Sequence, residues 1–440
     1  MNAIAISLYA FASALALGVA TAARGQGGPD YERPPIAYSA ATPADAVANL
    51  RQRITDGEFT WPGGERALLA AVLRELQVPV ASQVAVFSRT SLQRGRIRPA
   101  RPRVIYFSDT VYVGWVPGGL IELTAIDPRL GPVFYTLEAP VREGAPATLV
   151  RDAECLRCHG GTFVRDVPGV FVRSIFPDAS GEPLLRFGTL VVDDQTPFSE
   201  RWGGWYVTGY HGKTPHRGNA FAADAGGELA FTPAAARPDD LSGLIDASPY
   251  LALTSDVVAL LVLEHQTALQ NVLTRAAFAA RRMIAYQRSL QRQFREPETD
   301  EPAFDSVRSV FRGSAQEIVD RLLCRGEAPL PAGIVGAPAF RAAWREGAPR
   351  DAAGRSLRDL QLEGRLLRHR CSPLIYSEMF AVLPEPLRVL VFAQLDAALA
   401  EGESGGRYAY LPAGERRAIR EILRATHPEA ARRWIAPAGA

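Results

Sequence analysis

Residues 103–138 read RVIYFSDTVYVGWVPGGLIELTAIDPRLGPVFYTLE. Short runs of β-branched and aromatic residues alternate here with Asp, Pro and Gly breaks, the pattern of antiparallel strands joined by turns. Working outward, VASQVAVFS at 80–88 supplies one more strand before this block. After it, GVFVRSIF (169–176) and PLLRFGTLVVDD (183–194) flank the turn-forming cluster PDASGE and form a hairpin, and GWYVTGY (204–210) is a further strand. Residues 80–240 are therefore expected to form one mostly β unit.

Either side of this unit the period changes. GGERALLAAVLRELQV (63–78) places Leu68, Leu69, Val72, Leu73 and Leu76 at helical spacing, and a shorter helix is expected near 43–56. Before them, residues 25–45 are rich in Gly and Pro and read as an arm. From about Pro249 the pattern is helical to the end. The longest periodic segment, 254–294, has Thr254 or Ser255 as its expected N-cap with Asp256 in the first turn. REPETDEPAF breaks it, SAQEIVDRLL opens on a capping box of Ser314 and Glu317, and two further helical segments follow. The fold class is α+β: a mostly antiparallel β domain followed by an all-α C-terminal domain. The expected division is 23–79 for the arm and first helices, 80–240 for the β-rich domain and 245–440 for the helical domain.

With 440 residues, 47% apolar and 22% charged, the chain has ample material for a core. Its net charge of +2 and the even spread of arginines give no electrostatic footprint for nucleic acid. Residues 1–22 carry an apolar run from Ile4 to Val19 followed by Ala20-Thr21-Ala22, the pattern of a cleaved signal peptide, which implies a periplasmic or secreted protein; with no Lys or Arg ahead of the run, an uncleaved anchor is the alternative. After cleavage no stretch reaches the roughly 18 apolar residues a membrane span needs.

Two of the four cysteines lie in AECLRCHGG (153–161). Cys155, Cys158 and His159 form C-x-x-C-H, the attachment signature of c-type haem. Two thiols three residues apart can each form a thioether with one porphyrin, while the adjacent imidazole reaches the iron. A structural zinc site would need about two further ligands, and no second C-x-x-C exists. One covalent haem c is thus expected, with His159 as proximal ligand.

No methionine stands between Met1 and Met283, so the β unit has no Met for the distal position. The distal candidates are His211 and His216 in the loop YHGKTPHRGN, and His265 on the apolar stripe of the long helix; an open site is the alternative. Lys213, the sole lysine, is a candidate partner for a haem propionate, and Trp202, Trp205 and Tyr206 are candidates for the porphyrin wall. His369 and His427 read as surface residues. Cys324 and Cys371 read as a disulfide within the helical unit, with free buried thiols as the alternative.

VYVGWVPGGLIEL, GPVFYTLE, ECLRCHGG, VPGVFVRSIFPDASGEP, SERWGGWYVTGYHGKTPHRGN and VVALLVLEHQ together resemble a group of exported bacterial monohaem cytochrome c domain proteins, over about Tyr31 to Trp434. The resemblance implies haem c on Cys155 and Cys158 with His159 as proximal ligand, and no established substrate. A weaker likeness, of topology alone, is to exported sensor domains that carry haem c on a PAS-like sheet. Strands on both sides of the motif set the chain apart from small all-helical cytochromes c. The first functional expectation is haem-based electron transfer with a redox protein partner. The rivals are a haem-based small-ligand sensor and a peroxidase-like oxidoreductase using His211, His216, Glu264 and His265, either as a pocket or around a second metal.

Overall fold

The computed structural model describes residues 28–59, 62–139, 147–234, 239–400 and 406–434. The expected signal peptide at 1–22 lies outside them. In chain order the helices are α1 (Ala46–Thr55), α2 (Glu65–Glu75), α3 (Leu156–His159), α4 (Val257–Phe294), α5 (Asp305–Leu322), α6 (Pro338–Arg345), α7 (Glu378–Ala381), α8 (Glu385–Ala398), α9 (Ala413–Thr426) and α10 (Pro428–Arg433). The strands are β1 (Val84–Val86), β2 (Arg103–Phe107), β3 (Val111–Trp115), β4 (Ile121–Asp127), β5 (Gly131–Glu138), β6 (Thr148–Arg151), β7 (Val172–Ser174), β8 (Leu190–Val192), β9 (Trp205–Tyr206), β10 (Tyr210–His211), β11 (Ala220–Ala225), β12 (Glu228–Pro233) and β13 (Ile334–Val335).

Seven strands make one antiparallel sheet in the order β6-β5-β4-β3-β2-β1-β9. Because side chains alternate along a strand, the sheet has two distinct faces. Val104, Tyr106, Val113, Trp115, Leu123 and Tyr135 point to one face, which α1 and α2 cover with Val47, Leu50, Leu69 and Val72. Phe107, Tyr112, Ile126, Phe134 and Trp205 point to the other, in one core with α4 and α5. On that side Gln266 and Gln270 of α4 donate to Ser108 O (2.7 Å) and Asp109 O (2.8 Å), pinning the β2–β3 turn to the helix. The molecule is thus a seven-stranded antiparallel sheet region with a helical C-terminal part.

Several local expectations change. The N-cap of α4 is Asp256 itself, which accepts from Val258 N and Ala259 N, both at 3.0 Å. Helix α5 starts at Asp305, nine residues before the expected capping box, because the buried stripe Val307, Phe311, Ala315, Ile318 runs straight through Gly313 and Ser314. The C-terminal part is not all-α: β13 pairs with β10, and residues 346–377 contain no α-helix, their Gly- and Pro-bearing sequence favouring turns. The β7–β8 pairing matches the expected hairpin. Strands β6, β11, β12 and β13 were not expected. Among the described residues no helix is long and apolar enough to cross a membrane.

Candidate functional site

Helix α3 is a single turn that carries Cys158 and His159, with Cys155 as its N-cap, and the segments on either side fix its place. Asp152 N donates to Phe134 O (3.0 Å), tying the entry to β5, and the Asp152 side chain accepts from Glu154 N (2.9 Å). On the exit side Gly169 binds His159 twice: Gly169 N donates to His159 O, and Gly169 O lies 2.8 Å from His159 Nδ1. A carbonyl can only accept, so Nδ1 carries the proton and Nε2 keeps its lone pair. The ring sits between Phe134 and Phe171, each with its centroid 4.9 Å away. Burial holds His159 below the ordinary imidazole range, so it is neutral and able to ligate.

Asn271 of α4 sets the next residue, accepting from Val170 N (3.0 Å) and donating to Val170 O (2.7 Å). A Cβ at Gly169 would stand 2.7 Å from both Asn271 Oδ1 and Val164, which explains a glycine there. Through this clamp the longest helix holds the loop that orients His159.

Cys155, Cys158 and His159 all line one cleft over the second sheet face. Ile105, Tyr112, Phe134, Val170, Phe171, Val172, Trp205 and Leu263 give it apolar walls; Arg103, Glu122, Glu154 and Arg173 bring charge. Burial, with Asp152 and Glu122 adding to it, pushes the Cys155 thiol up to about 12, so it stays protonated and is a poor thiolate ligand. Among the described residues no group of three or more His, Cys, Asp or Glu is placed to hold a metal ion.

The other expected site residues lie elsewhere. His211 and His216 bond to each other, Nε2 to Nε2 at 3.2 Å, against Phe198 and Trp202. His265 has both nitrogens engaged: Nδ1 is 3.3 Å from Asp194 Oδ2 and Nε2 is 2.8 Å from Ser372 Oγ. Burial would raise Asp194, but His265, Arg321 and Arg201 outweigh it and hold the carboxyl below its ordinary range. On a helix Leu263 and Thr267 face the cleft, and the residue between them, His265, turns away from it. None of the three distal candidates lines the cleft, nor do Met283 and Met379.

Glu264 is a core residue as well. It pairs with Arg201 (2.8 Å, side chains 2% and 0% exposed) and accepts from Trp202 Nε1; burial raises its carboxyl to about 7 against the pull of Arg201. The pocket expected from His211, His216, Glu264 and His265 is therefore not assembled. Of the three expected wall aromatics only Trp205 lines the cleft; Trp202 packs on His216, and Tyr206 faces the other side of the sheet. Lys213 is exposed and outside the cleft, whose cations are arginines.

Cys324 and Cys371 are buried free thiols, a correction to the expected disulfide. His369 is buried, and His427 is half-buried, capping α10 by accepting from Glu429 N and Ala430 N; neither is a surface residue.

The residues that sequence reading missed are Phe134, Phe171, Gly169, Asn271, Arg103 and Glu122. For the last two a signal existed: charged residues placed on strands that are otherwise apolar. No protein-family model, no curated protein and no solved structure matches the chain.

Proposed function

We propose that the chain is an exported monohaem c-type protein whose iron takes a small exogenous ligand. The residues fit the group: two thiols and one neutral imidazole converge on one largely apolar cleft, and among the described residues no metal-binding cluster of another kind competes. Cys155 and Cys158 would hold the porphyrin covalently, and His159 Nε2 would bind the iron. Gly169 O, taking the Nδ1 proton, fixes the ring and increases its basicity. When bound, the group supplies an iron that changes oxidation state and accepts small ligands, its behaviour set by distal polarity and access.

The observation that carries this reading is that, among the described residues, His159 is the only imidazole lining the cleft and no thioether joins it, while His211, His216 and His265 are engaged elsewhere. The likeness to exported sensors with haem c on a PAS-like sheet belongs to the same proposal. What supports it is an antiparallel sheet whose one face forms a wall of the cleft, with α4 running from that wall into the helical part. Export rests on the sequence of residues 1–22.

Electron transfer to a redox protein partner is the second reading, supported by the exposure of Cys158, which would bring one edge of the group to the surface. One experiment separates them. Protein made in a host with haem-attachment machinery is weighed by mass spectrometry, then its absorption spectrum is recorded reduced and under carbon monoxide. The expected result is a mass increased by one haem and a reduced spectrum that carbon monoxide shifts at once. A haem-loaded protein inert to carbon monoxide would favour the electron carrier, and a mature chain without haem would end both readings.

A further inference from the structure

In the cleft wall Arg103 of β2 reaches across β3 to Glu122 of β4, Nε to Oε2 at 2.6 Å, with the two side chains 18% and 15% exposed. Gly114, the β3 residue paired with Glu122, makes the crossing possible. A Cβ there would stand 2.6 Å from Arg103 Cζ and closer still to Nη2, so any other residue displaces the guanidinium. The ion pair consumes only the Nε donor. Among the described residues Nη1 and Nη2 have no hydrogen-bond partner, which leaves four N–H groups in a cleft whose walls are largely apolar and whose other charges are Glu154 and Arg173.

A planar fork held rigid at one edge and unspent at the other is suited to a small anion, because charge-assisted bonds strengthen where water is thinned out. Glu122 serves two ends: it fixes the fork and offsets its charge, so that the vacant edge recognises shape as well as sign. We propose that Arg103 is the anion-recognising residue of the cleft, its Nη groups holding a monoanion of the size of formate or azide that enters beside the prosthetic group. Glu122 and Gly114 are positioning residues for it. The proposal rests on the haem reading and names the ligand class of that site.

The test uses holo-protein whose haem is confirmed by mass, so that failure of the haem reading shows there and failure of this proposal shows in the titration. Azide and formate are titrated into the ferric protein, and carbon monoxide into the ferrous protein, by absorbance. The wild type is expected to saturate with azide. In Arg103→Leu the ratio of azide to carbon monoxide affinity should fall at least about tenfold, as loss of a charge-assisted bond implies. Arg103→Lys should recover part of the ratio. Gly114→Ala, which removes no charge, should lower the ratio in the same direction by displacing the fork. Arg432→Ala, which removes an exposed arginine of α10, should leave it at the wild-type value. An unchanged ratio in Arg103→Leu overturns the proposal, as does a wild type that takes no anion. So does a shift of midpoint potential with no change in anion affinity, which would assign Arg103 to the porphyrin's own carboxylates.

Discussion

At the scale of single residues, the pair His211–His216 illustrates how hydrogen-bond accounting decides what a histidine does. Gly218 N donates to His216 Nδ1 at 3.0 Å, so that nitrogen bears no proton and Nε2 does. His216 Nε2–H then donates to His211 Nε2, and the remaining proton sits on His211 Nδ1, which is buried without a partner. A metal at this pair would have to displace that Nε2 proton. A second proton on His216 meets a further cost: burial first and His211 second lower its pKa to about 3. The sign follows from linkage. The folded value lies below the ordinary 6.5, so the stabilisation is complete above pH 6.5 and is lost as pH falls toward 3. His216→Asn should flatten the fall in unfolding free energy between pH 6.5 and 4 by up to about 1.4 kcal/mol per pH unit. Urea titrations of both proteins across that range check this; parallel pH profiles would show that His216 titrates normally in the fold.

At the scale of elements, Asn271 joins two that sequence reading kept apart, the long helix α4 and the loop after C-x-x-C-H. Asn271→Ala would leave Val170 N–H and C=O unpaired under the cleft. The expected loss is about 1–3 kcal/mol, visible as a lower urea midpoint at unchanged slope. A loss under about 0.5 kcal/mol would mean that the loop is held without the clamp. This contact was illegible beforehand because nothing in sequence periodicity tells where a polar side chain on a helix will find a loop about 100 residues earlier. The strands themselves were legible: alternation at 103–138 marked the central sheet, and Leu68, Leu69, Val72 and Leu73 marked α2, because burial of one face writes its period into the chain. Short pairs such as β10 with β13 left no such trace, since two residues hold no period. The C-x-x-C-H motif was equally plain, being local by chemistry. The distal side was not. Three histidines were reasonable candidates by residue type, and only the tertiary arrangement, which spends each of them on other partners, removes them from the cleft. The helix caps failed for a related reason: at 254–256 three capping residues stand in a row, and tertiary register selects Asp256.

At the scale of the molecule, the sheet and the helical part do not hold separate cores. Phe107, Tyr112, Ile126 and Phe134 of the sheet stand in one continuous apolar cluster with Leu260, Leu261 and Leu273 of α4, Phe311 and Ile318 of α5, and Phe380 and Phe392 farther along the chain. Polar bonds cross the same boundary. Ala85 N of β1 donates to Ser255 Oγ (2.8 Å), and Thr208 N donates to Ser255 O (2.7 Å) just before α4 begins. Cutting the chain near residue 245 would expose one whole face of α4 and one whole face of the sheet, an apolar loss that neither fragment can recover alone. Unfolding of the whole chain is therefore expected to be one transition, with tryptophan emission and helix content by circular dichroism moving together, since Trp115, Trp202 and Trp205 report the sheet side and Trp344 and Trp434 the helical part. The fragment 245–440 by itself should keep helix, bind a hydrophobic dye and melt without a sharp midpoint. A cooperative transition in that fragment, or two separated transitions in the whole chain, would show that the shared cluster contributes little.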